Sequence, residues 1–278
     1  MKRNLLLVAI LAIALTAQAK VEFAYEAGAE LVSAYLWRGQ YNGGLSLQPN
    51  VTIGFEGEHT SLQVGAWGSI GASDWCFNSD TYFNPEVDIT ASFSCFGVTL
   101  DFAHLYFFGN SPFFCWTEKE LLNENASSQT ELMLGYNFGD MLDFPLYFKW
   151  GTVVAGSDFI CDYDDNGDAI VGTERRAWSS YMEIGYDAEL PFDMTLNAHV
   201  AMSPWRNETY YNEKFAVINI GARLEKSFEF DHCSLSVFAE GSINPDGLNR
   251  HTAYIPSAGE EKVYKQKLNG VLGLGIWF

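Results

Sequence analysis

Charged side chains at alternate positions of apolar segments are the residues of this sequence that could support chemistry. Side chains two positions apart share one face of a β-strand, so strands would gather these groups on a common polar surface. The set consists of Glu86, Asp88, Asp101, Glu131, Lys149, Glu183, Asp187, His199, Arg223 and Glu225. Acidic residues dominate it, and such a surface around a water-filled passage would favour cations over anions.

His199 raises the question of catalysis. It lies on the predicted strand after the one that carries Glu183 and Asp187, and either carboxylate could orient an imidazole acting as a base. No G-x-S-x-G motif accompanies it, so a nucleophile in a recognisable setting is missing. The sequence therefore favours a protein without enzymatic activity, and a hydrolase is the weaker alternative.

An acidic segment resembles the start of an EF-hand calcium loop. Its oxygen-bearing candidates are Asp162, Asp164, Asn166 and Asp168. Gly167 occupies the sixth position, where a calcium loop turns sharply, but Thr173 stands at the twelfth position and Glu174 follows one residue late. A solvated acidic loop is the favoured interpretation, and a calcium site is the alternative.

The segments that carry these residues alternate between apolar and polar side chains, a period of two that predicts strands. The predicted strands are 26–37, 45–56, 61–71, 83–94, 98–108, 129–138, 146–155, 178–190, 194–202, 218–225, 233–241 and 265–278. The last strand places Leu268, Leu272, Leu274, Ile276 and Phe278 on one face. Most of these segments approach the 9 to 11 residues that a tilted strand needs to cross a bilayer.

Composition and connection lengths favour a membrane barrel. Hydrophobic residues make up 48% of the chain and aromatic residues 15%, yet past the N-terminus no apolar run reaches the length of a helical span. Short and long connections alternate, except for a tight turn predicted after the first strand. We therefore predict an all-β fold, a transmembrane antiparallel up-and-down β-barrel of about 12 strands. The alternative is a soluble sandwich or jelly roll.

The N-terminus predicts export. Lys2 and Arg3 precede an apolar run and the small residues Ala17 and Ala19, which indicates a signal peptide at 1–19 followed by a single outer-membrane barrel domain at 20–278. Without Lys2 and Arg3, 14 basic residues face 35 acidic ones, a net charge of −21, which excludes binding to nucleic-acid phosphates.

The expected partners are outer-membrane lipid, small solutes and the barrel-assembly machinery. The last of these would be met through the C-terminal strand, because its terminal Phe278 resembles the ending of bacterial outer-membrane β-barrels. No cofactor is expected apart from the calcium alternative at 162–168.

The first hairpin resembles the opening motif of the TorF-type porins, a family of outer-membrane β-barrels. The family pattern is Val-Ser-Asp-Tyr-x-x-Arg-Gly followed by a Pro/Gln pair. The matching residues are Val32, Ser33, Tyr35, Arg38 and Gly39. Ala34 replaces the usual Asp, and the gap before Gln48-Pro49 is shorter. The resemblance covers about twenty residues and implies a porin.

The functional prediction is a small porin for passive diffusion of small hydrophilic solutes. If the lumen is closed instead, the inward charges would be paired contacts of a polar core. The alternatives are a non-conducting structural or partner-binding barrel and, less favoured, an outer-membrane hydrolase.

Overall fold

A computed structural model describes residues 21–71, 85–108, 113–114, 128–162, 164, 170, 172–206, 209–210, 212–245, 250–255, 260–265 and 267–278. The predicted signal peptide lies outside these residues, as do Asn166 and Asp168 of the acidic segment. No helix among the described residues is long and apolar enough to cross a membrane.

Twelve strands form the wall of the molecule. They are β1 Glu22–Val32, β2 Ser46–Gly57, β3 Thr60–Gly71, β4 Glu86–Cys95, β5 Val98–Phe107, β6 Ser128–Asn137, β7 Leu146–Gly156, β8 Ser180–Leu190, β9 Met194–Ser203, β10 Ala216–Glu229, β11 Ser234–Ile243 and β12 Leu268–Trp277. Each strand pairs antiparallel with the next, and β12 pairs with β1 to close the barrel. The predicted 12-stranded antiparallel barrel is confirmed.

The closing strand shows how the wall is built. Leu274 pairs with Leu31 on β1 and with Val237 on β11, which forms an apolar row on the outer face. Its neighbour Leu272 leaves 69% of its surface exposed on that side. Inward-facing Asn269 is buried. The outward face predicted for this strand, from Leu268 to Phe278, is confirmed.

Aromatic side chains lie at both ends of the barrel. Exposed aromatics at the end with the short turns are Phe96, Phe144, Phe192, Phe230 and Phe278. Those at the end with the long loops are Phe108, Phe114, Trp178, Trp205 and Phe215. An apolar outer band between two aromatic girdles, with an even number of antiparallel strands, defines a barrel of the outer-membrane type.

The connection after β1 differs from the prediction. β1 ends at Val32 instead of continuing to Trp37, and residues Tyr35–Trp37 and Gln40–Gly43 pair with each other as a separate hairpin, here called the lumen hairpin. Ser33 makes a last contact with the wall, where its N–H donates to the Leu272 carbonyl at 2.8 Å. The alternation in sequence continues through this point, so the pattern alone could not reveal where the chain leaves the wall.

A β-bulge in β10 places Ile218 on the opposite face from the one predicted. Asn219 pairs with Ala201 and Val217 with Met202, so Ile218 has no opposite residue on β9. The extra residue changes the facing, and Ile218 is 1% exposed inside the barrel, whereas the alternation predicted it outside. It packs there with Tyr181, Ala201, Tyr210 and Ala216.

Candidate functional site

The polar residues predicted to share one face lie on the lumen side of the strands. Glu86 and Glu131 are each 4% exposed, while the apolar residues that alternate with them, such as Ile89 and Leu132, are exposed on the outer face. The same facing holds for Asp88, Asp101, Lys149, Glu183, Asp187, His199, Arg223 and Glu225. The lumen is therefore lined by polar and charged groups.

Arg38, at the tip of the lumen hairpin, crosses the lumen to the opposite wall. Its Nη1 and Nη2 donate to Glu131 Oε1 and Oε2 on β6 at 2.7 and 2.6 Å. The guanidinium also donates to the Tyr210 hydroxyl. It lies over the rings of Trp37 and Tyr181, 4.8 and 4.4 Å from their centroids. A bidentate pair of this kind is among the stronger hydrogen-bonded contacts in proteins, so the hairpin is held in the lumen.

Backbone geometry seats the tip of the hairpin. Arg38 and Gly39 have φ values of 51° and 79°, the left-handed conformation that a tight two-residue turn requires. A Cβ at Gly39 would lie 2.6 Å from the Ile218 carbonyl oxygen on β10. On the other side, Gln40 Nε2 donates to the Thr209 carbonyl at 3.0 Å. The hairpin therefore touches both the wall and a loop.

The five residues that match the TorF-type pattern all belong to this region. Val32 ends β1 as a buried residue, and Ser33 Oγ accepts from the Leu272 N–H at 2.8 Å. Tyr35 packs against Trp67 with ring centroids 5.4 Å apart. With Arg38 and Gly39 at the tip, the motif builds the inserted hairpin.

Glu183 is the centre of a hydrogen-bonded group next to the hairpin. The Tyr147 hydroxyl donates to Glu183 Oε1 at 2.8 Å, and the Tyr181 hydroxyl donates to Oε2. Asn197 extends the group, since its Nδ2 donates to the Tyr147 oxygen at 3.1 Å and to Asp187 Oδ1 at 2.6 Å. Both carboxylate oxygens of Glu183 are thus satisfied by phenol groups.

His199 does not form the arrangement considered for catalysis. Its Nδ1 lies 2.9 Å from Asn197 Oδ1, and its Nε2 lies 2.9 Å from Asn219 Nδ2. The two amides therefore occupy both ring nitrogens. The interpretation of His199 as a base oriented by Glu183 or Asp187 is therefore wrong.

Arg223 forms a second charged cluster in the lumen. Its Nη2 donates to Glu30 Oε1 and to Glu225 Oε2, each at 2.7 Å, and its guanidinium lies 3.5 Å from the centre of the Phe238 ring. The sequence did not indicate Glu30, because the facing of β1 was ambiguous among its Ala and Gly residues.

Two of the cavities that are lined by described residues lie inside the barrel. The outer cavity, about 380 Å³ at the long-loop end, is lined by Trp37, Gln40, Asn42, Glu86, Phe107, Gln129, Ser157, Asp158, Phe159 and Thr209. The inner cavity, about 280 Å³ at the short-turn end, is lined by Ala24, Tyr25, Glu26, Thr52, Gly54, Glu56 and Gln63. On β6, Glu131 lies one inward position deeper than Gln129, so the Arg38 contact lies along the barrel axis between the two cavities.

Asp158 fixes the loop after β7 at the rim of the outer cavity. Its Oδ2 accepts from the Ser179 N–H at 3.0 Å, and its Oδ1 accepts from the Ser179 hydroxyl. Burial raises the pKa of Asp158 above its ordinary value, although these two hydrogen bonds act in the opposite direction. No pattern in the sequence indicates this residue, because it lies outside the alternating segments.

The acidic segment is only partly described. Asp162 Oδ1 accepts from Arg175 Nη1 at 3.1 Å with both side chains half exposed, and its N–H donates to Thr173 Oγ1. Within the described part of the chain, no group of three His, Cys, Asp or Glu side chains is placed to hold a metal. Calcium at Asp162, Asp164, Asn166 and Asp168 stays a prediction.

Outside the barrel, His104 is covered by a loop. Its Nδ1 lies 2.8 Å from Thr130 Oγ1, and its Nε2 lies 2.8 Å from the Phe113 carbonyl oxygen. The ring of Phe114 covers it with centroids 4.5 Å apart. Because the histidine is fully buried and both its nitrogens have partners, we interpret it as an anchor for this loop.

Comparison of the sequence with family models and with curated proteins gives no match. Among solved structures, the chain is similar to outer membrane phospholipase A from Escherichia coli, with 14% identity, a TM-score of 0.37 and coverage of 97% of this chain and 96% of that one. It is also similar to Wzi from Escherichia coli, described as a carbohydrate-binding β-barrel, with 7% identity, a TM-score of 0.32 and coverage of 97% and 87%. No residue role, substrate or partner follows from likenesses at this level. The resemblance to TorF-type porins stays a prediction.

Proposed function

We propose that the protein is an outer-membrane channel for small hydrophilic solutes, in which the lumen hairpin narrows a polar passage. The apolar outer band and aromatic girdles support a location in the outer membrane, reached by a cleaved signal peptide. Lipid, solutes and the barrel-assembly machinery are the partners of this proposal.

The observation that carries the proposal is the charged contact of Arg38 with Glu131 between two polar cavities. Burying an ion pair has a desolvation cost that often exceeds its Coulomb attraction, and apolar residues of similar size can serve stability equally well. A plug needed only for stability would therefore not require this pair. A polar constriction, by contrast, stays compatible with water and hydrated solutes.

We propose further that the protein has no enzymatic activity. The arrangement considered for His199 is not formed, and His104 lies beneath a loop with both nitrogens occupied. An assay of the refolded protein on phospholipid and peptide substrates should show no turnover above that of an unrelated barrel.

Single-channel conductance in planar bilayers tests the channel. The refolded wild type should give small discrete steps. Arg38→Ala should raise the step size several-fold, because it removes the bidentate contact that holds the hairpin across the lumen. Arg175→Ala is the matched control, since it removes a half-exposed guanidinium from a loop and should leave the steps unchanged.

A silent wild type would contradict the proposal if heat-modifiable gel migration shows that it is folded and Arg38→Ala is also silent. That result would favour the non-conducting alternative, in which the hairpin closes the lumen permanently. Conductance steps of equal size in the wild type and in Arg38→Ala would support a channel but would show that the lumen hairpin does not narrow it.

A further inference from the structure

Two adjacent carboxylates on β4 differ from the other acidic groups of the lumen. Glu86 and Asp88 share the inward face and lie within hydrogen-bonding distance of each other. Glu86 Oε1 and Asp88 Oδ1 are both buried, and no group of the described residues forms a hydrogen bond with either atom. Glu86 as a whole is 4% exposed.

The groups that face the pair do not neutralise it. The Tyr35 hydroxyl of the lumen hairpin hydrogen-bonds to Glu86, and the cross-strand neighbours of Glu86 are Ser69 and Phe107. Asp88 lies opposite Trp67 and Leu105. Among the described residues, no lysine or arginine acts on either carboxylate.

The basic groups of the lumen have other partners. Arg38 uses both terminal nitrogens on Glu131, and Arg223 contacts Glu30 and Glu225. Lys149 Nζ lies 4.6 Å from the centre of the Tyr147 ring. Two touching carboxylates with no basic neighbour are unstable when both are ionised, since like charges at contact repel strongly at low dielectric. Such a pair must share a proton or take up a cation.

The outer cavity supplies the room and the additional oxygen atoms for a cation. Glu86 lines it together with Gln40, Asn42 and Gln129, each of which has a side-chain amide. Carboxylate and amide oxygens are the ligands that hard divalent cations prefer, and they also accept the three N–H bonds of a primary ammonium group. A cavity of about 380 Å³ admits a hydrated ion or a small amine.

We propose that Glu86, which lines the outer cavity, and its neighbour Asp88 form a cation-binding site, which takes up a divalent metal ion or the ammonium group of a small solute. The proposal does not rest on conduction, because a closed barrel would present the same site from the long-loop end.

Isothermal titration calorimetry of the refolded full-length protein tests the site, with CaCl2, MgCl2 and 1,4-diaminobutane dihydrochloride as three separate probes. At least one probe should bind saturably at one site, with a dissociation constant on the order of 10⁻⁴ to 10⁻³ M, as for weak calcium sites. Glu86→Gln and Asp88→Asn should each weaken binding about tenfold or more, which corresponds to at least about 1.4 kcal/mol.

Two control variants separate this site from other carboxylates. Asp162→Asn alters the acidic loop that resembles a calcium site, and Glu56→Gln alters the inner cavity; both should bind as the wild type does. Comparison of the three probes distinguishes a metal site from an ammonium site. Gel migration before and after heating shows that each variant is folded, and Asp88→Asn serves if Glu86→Gln does not fold.

The site is refuted if no probe binds the folded wild type saturably, which is the result expected if the pair shares a proton. It is also refuted if Glu86→Gln and Asp88→Asn bind as tightly as the wild type, or if Asp162→Asn abolishes binding. Binding by a barrel that is silent in bilayers would support the site and contradict the channel, whereas conductance without binding would do the reverse.

Discussion

At the scale of single residues, Arg38 and Glu131 determine whether the lumen hairpin stays in place. Their side chains are 14% and 5% exposed, so both charges have lost most of their hydration. Breaking such a pair by removing one partner typically costs about 3–5 kcal/mol, because the other charge is left buried and uncompensated. The contact is therefore costly to break as long as one of the two charges stays buried in the lumen.

Opening of the loop after β7 should depend on pH through Asp158. Because burial raises the pKa of Asp158 in the folded protein, the folded loop binds a proton more tightly than the unfolded loop. The resulting stabilisation is fully present below the unfolded pKa of about 3.9 and is lost as the pH rises through the folded pKa. The N–H of Ala177 donates to the backbone carbonyl of Asp158. After correction for intrinsic exchange rates, hydrogen exchange at this amide should therefore give a lower free energy of loop opening at neutral pH than at acid pH.

Asp158→Asn should remove most of this pH dependence, since the amide cannot ionise and still accepts a hydrogen bond from Ser179. Asp162→Asn is the control, because it lies in the same loop and leaves the Asp158 contacts intact. A wild-type opening free energy that does not change with pH, or an equal slope in Asp158→Asn, would contradict the assignment.

At the scale of elements, the turn of the lumen hairpin is the sensitive point. Gly39 has a φ of 79°, and a Cβ added at this position would lie 2.6 Å from the Ile218 carbonyl oxygen. Gly39→Ala should therefore cost about 1–2 kcal/mol from the left-handed backbone alone, and the close contact should push the hairpin away from β10. We expect lower resistance to chemical unfolding together with a larger channel conductance.

Gly241→Ala is the matched control for that change. A Cβ at Gly241 on β11 meets no atom within 4 Å, so both the stability and the conductance should stay within the error of the wild type. Equal behaviour of the two variants would show that the hairpin tip is not seated as the structure indicates.

The elements that alternation could predict are those in which one face meets lipid and the other meets the lumen. β4 is an example. Its apolar residues Val87, Ile89 and Phe93 must face lipid, so the alternating residues Glu86 and Asp88 must face the lumen. The lumen hairpin escaped prediction, since its residues are buried by contacts far apart in sequence. Arg38 meets Glu131 and Tyr210 across the lumen, and spacing within one segment contains no information about such contacts.

The same limit applies to the candidate site. Sequence reasoning found Glu86, Asp88, Glu131 and Glu183 as inward residues, because they follow the strand period. It missed Glu240, which lies inside the barrel on β11 and alternates there with Leu235, Val237 and Ala239, so the same period could have identified it. Tyr210 and Asp158 lie in loops, where no period exists to indicate their roles.

At the scale of the whole molecule, charge and hydrophobicity are separated by the wall. The outer surface between the girdles is apolar, and the lumen holds more carboxylates than basic groups, with Arg38 and Arg223 already paired. Charges in a narrow passage act on passing ions within the Debye length, about 10 Å at 0.1 M salt. The sign of the lumen charge should therefore determine ionic selectivity.

The reversal potential under a KCl gradient measures this selectivity. We expect the Arg38→Ala channel, in which the hairpin is released, to prefer K⁺ over Cl⁻. Loss of the Arg38 guanidinium leaves Glu131 without its basic partner in an already acidic lumen. The double change Glu26→Gln and Glu56→Gln should reduce the preference, since both carboxylates line the inner cavity.

Glu58→Gln is the control, because it removes the same kind of charge from a side chain that is 79% exposed in the turn after β2. This change should leave the reversal potential unchanged. A reversal potential of the opposite sign, or one shifted as much by Glu58→Gln as by the inner pair, would mean that the lumen carboxylates do not govern which ions pass.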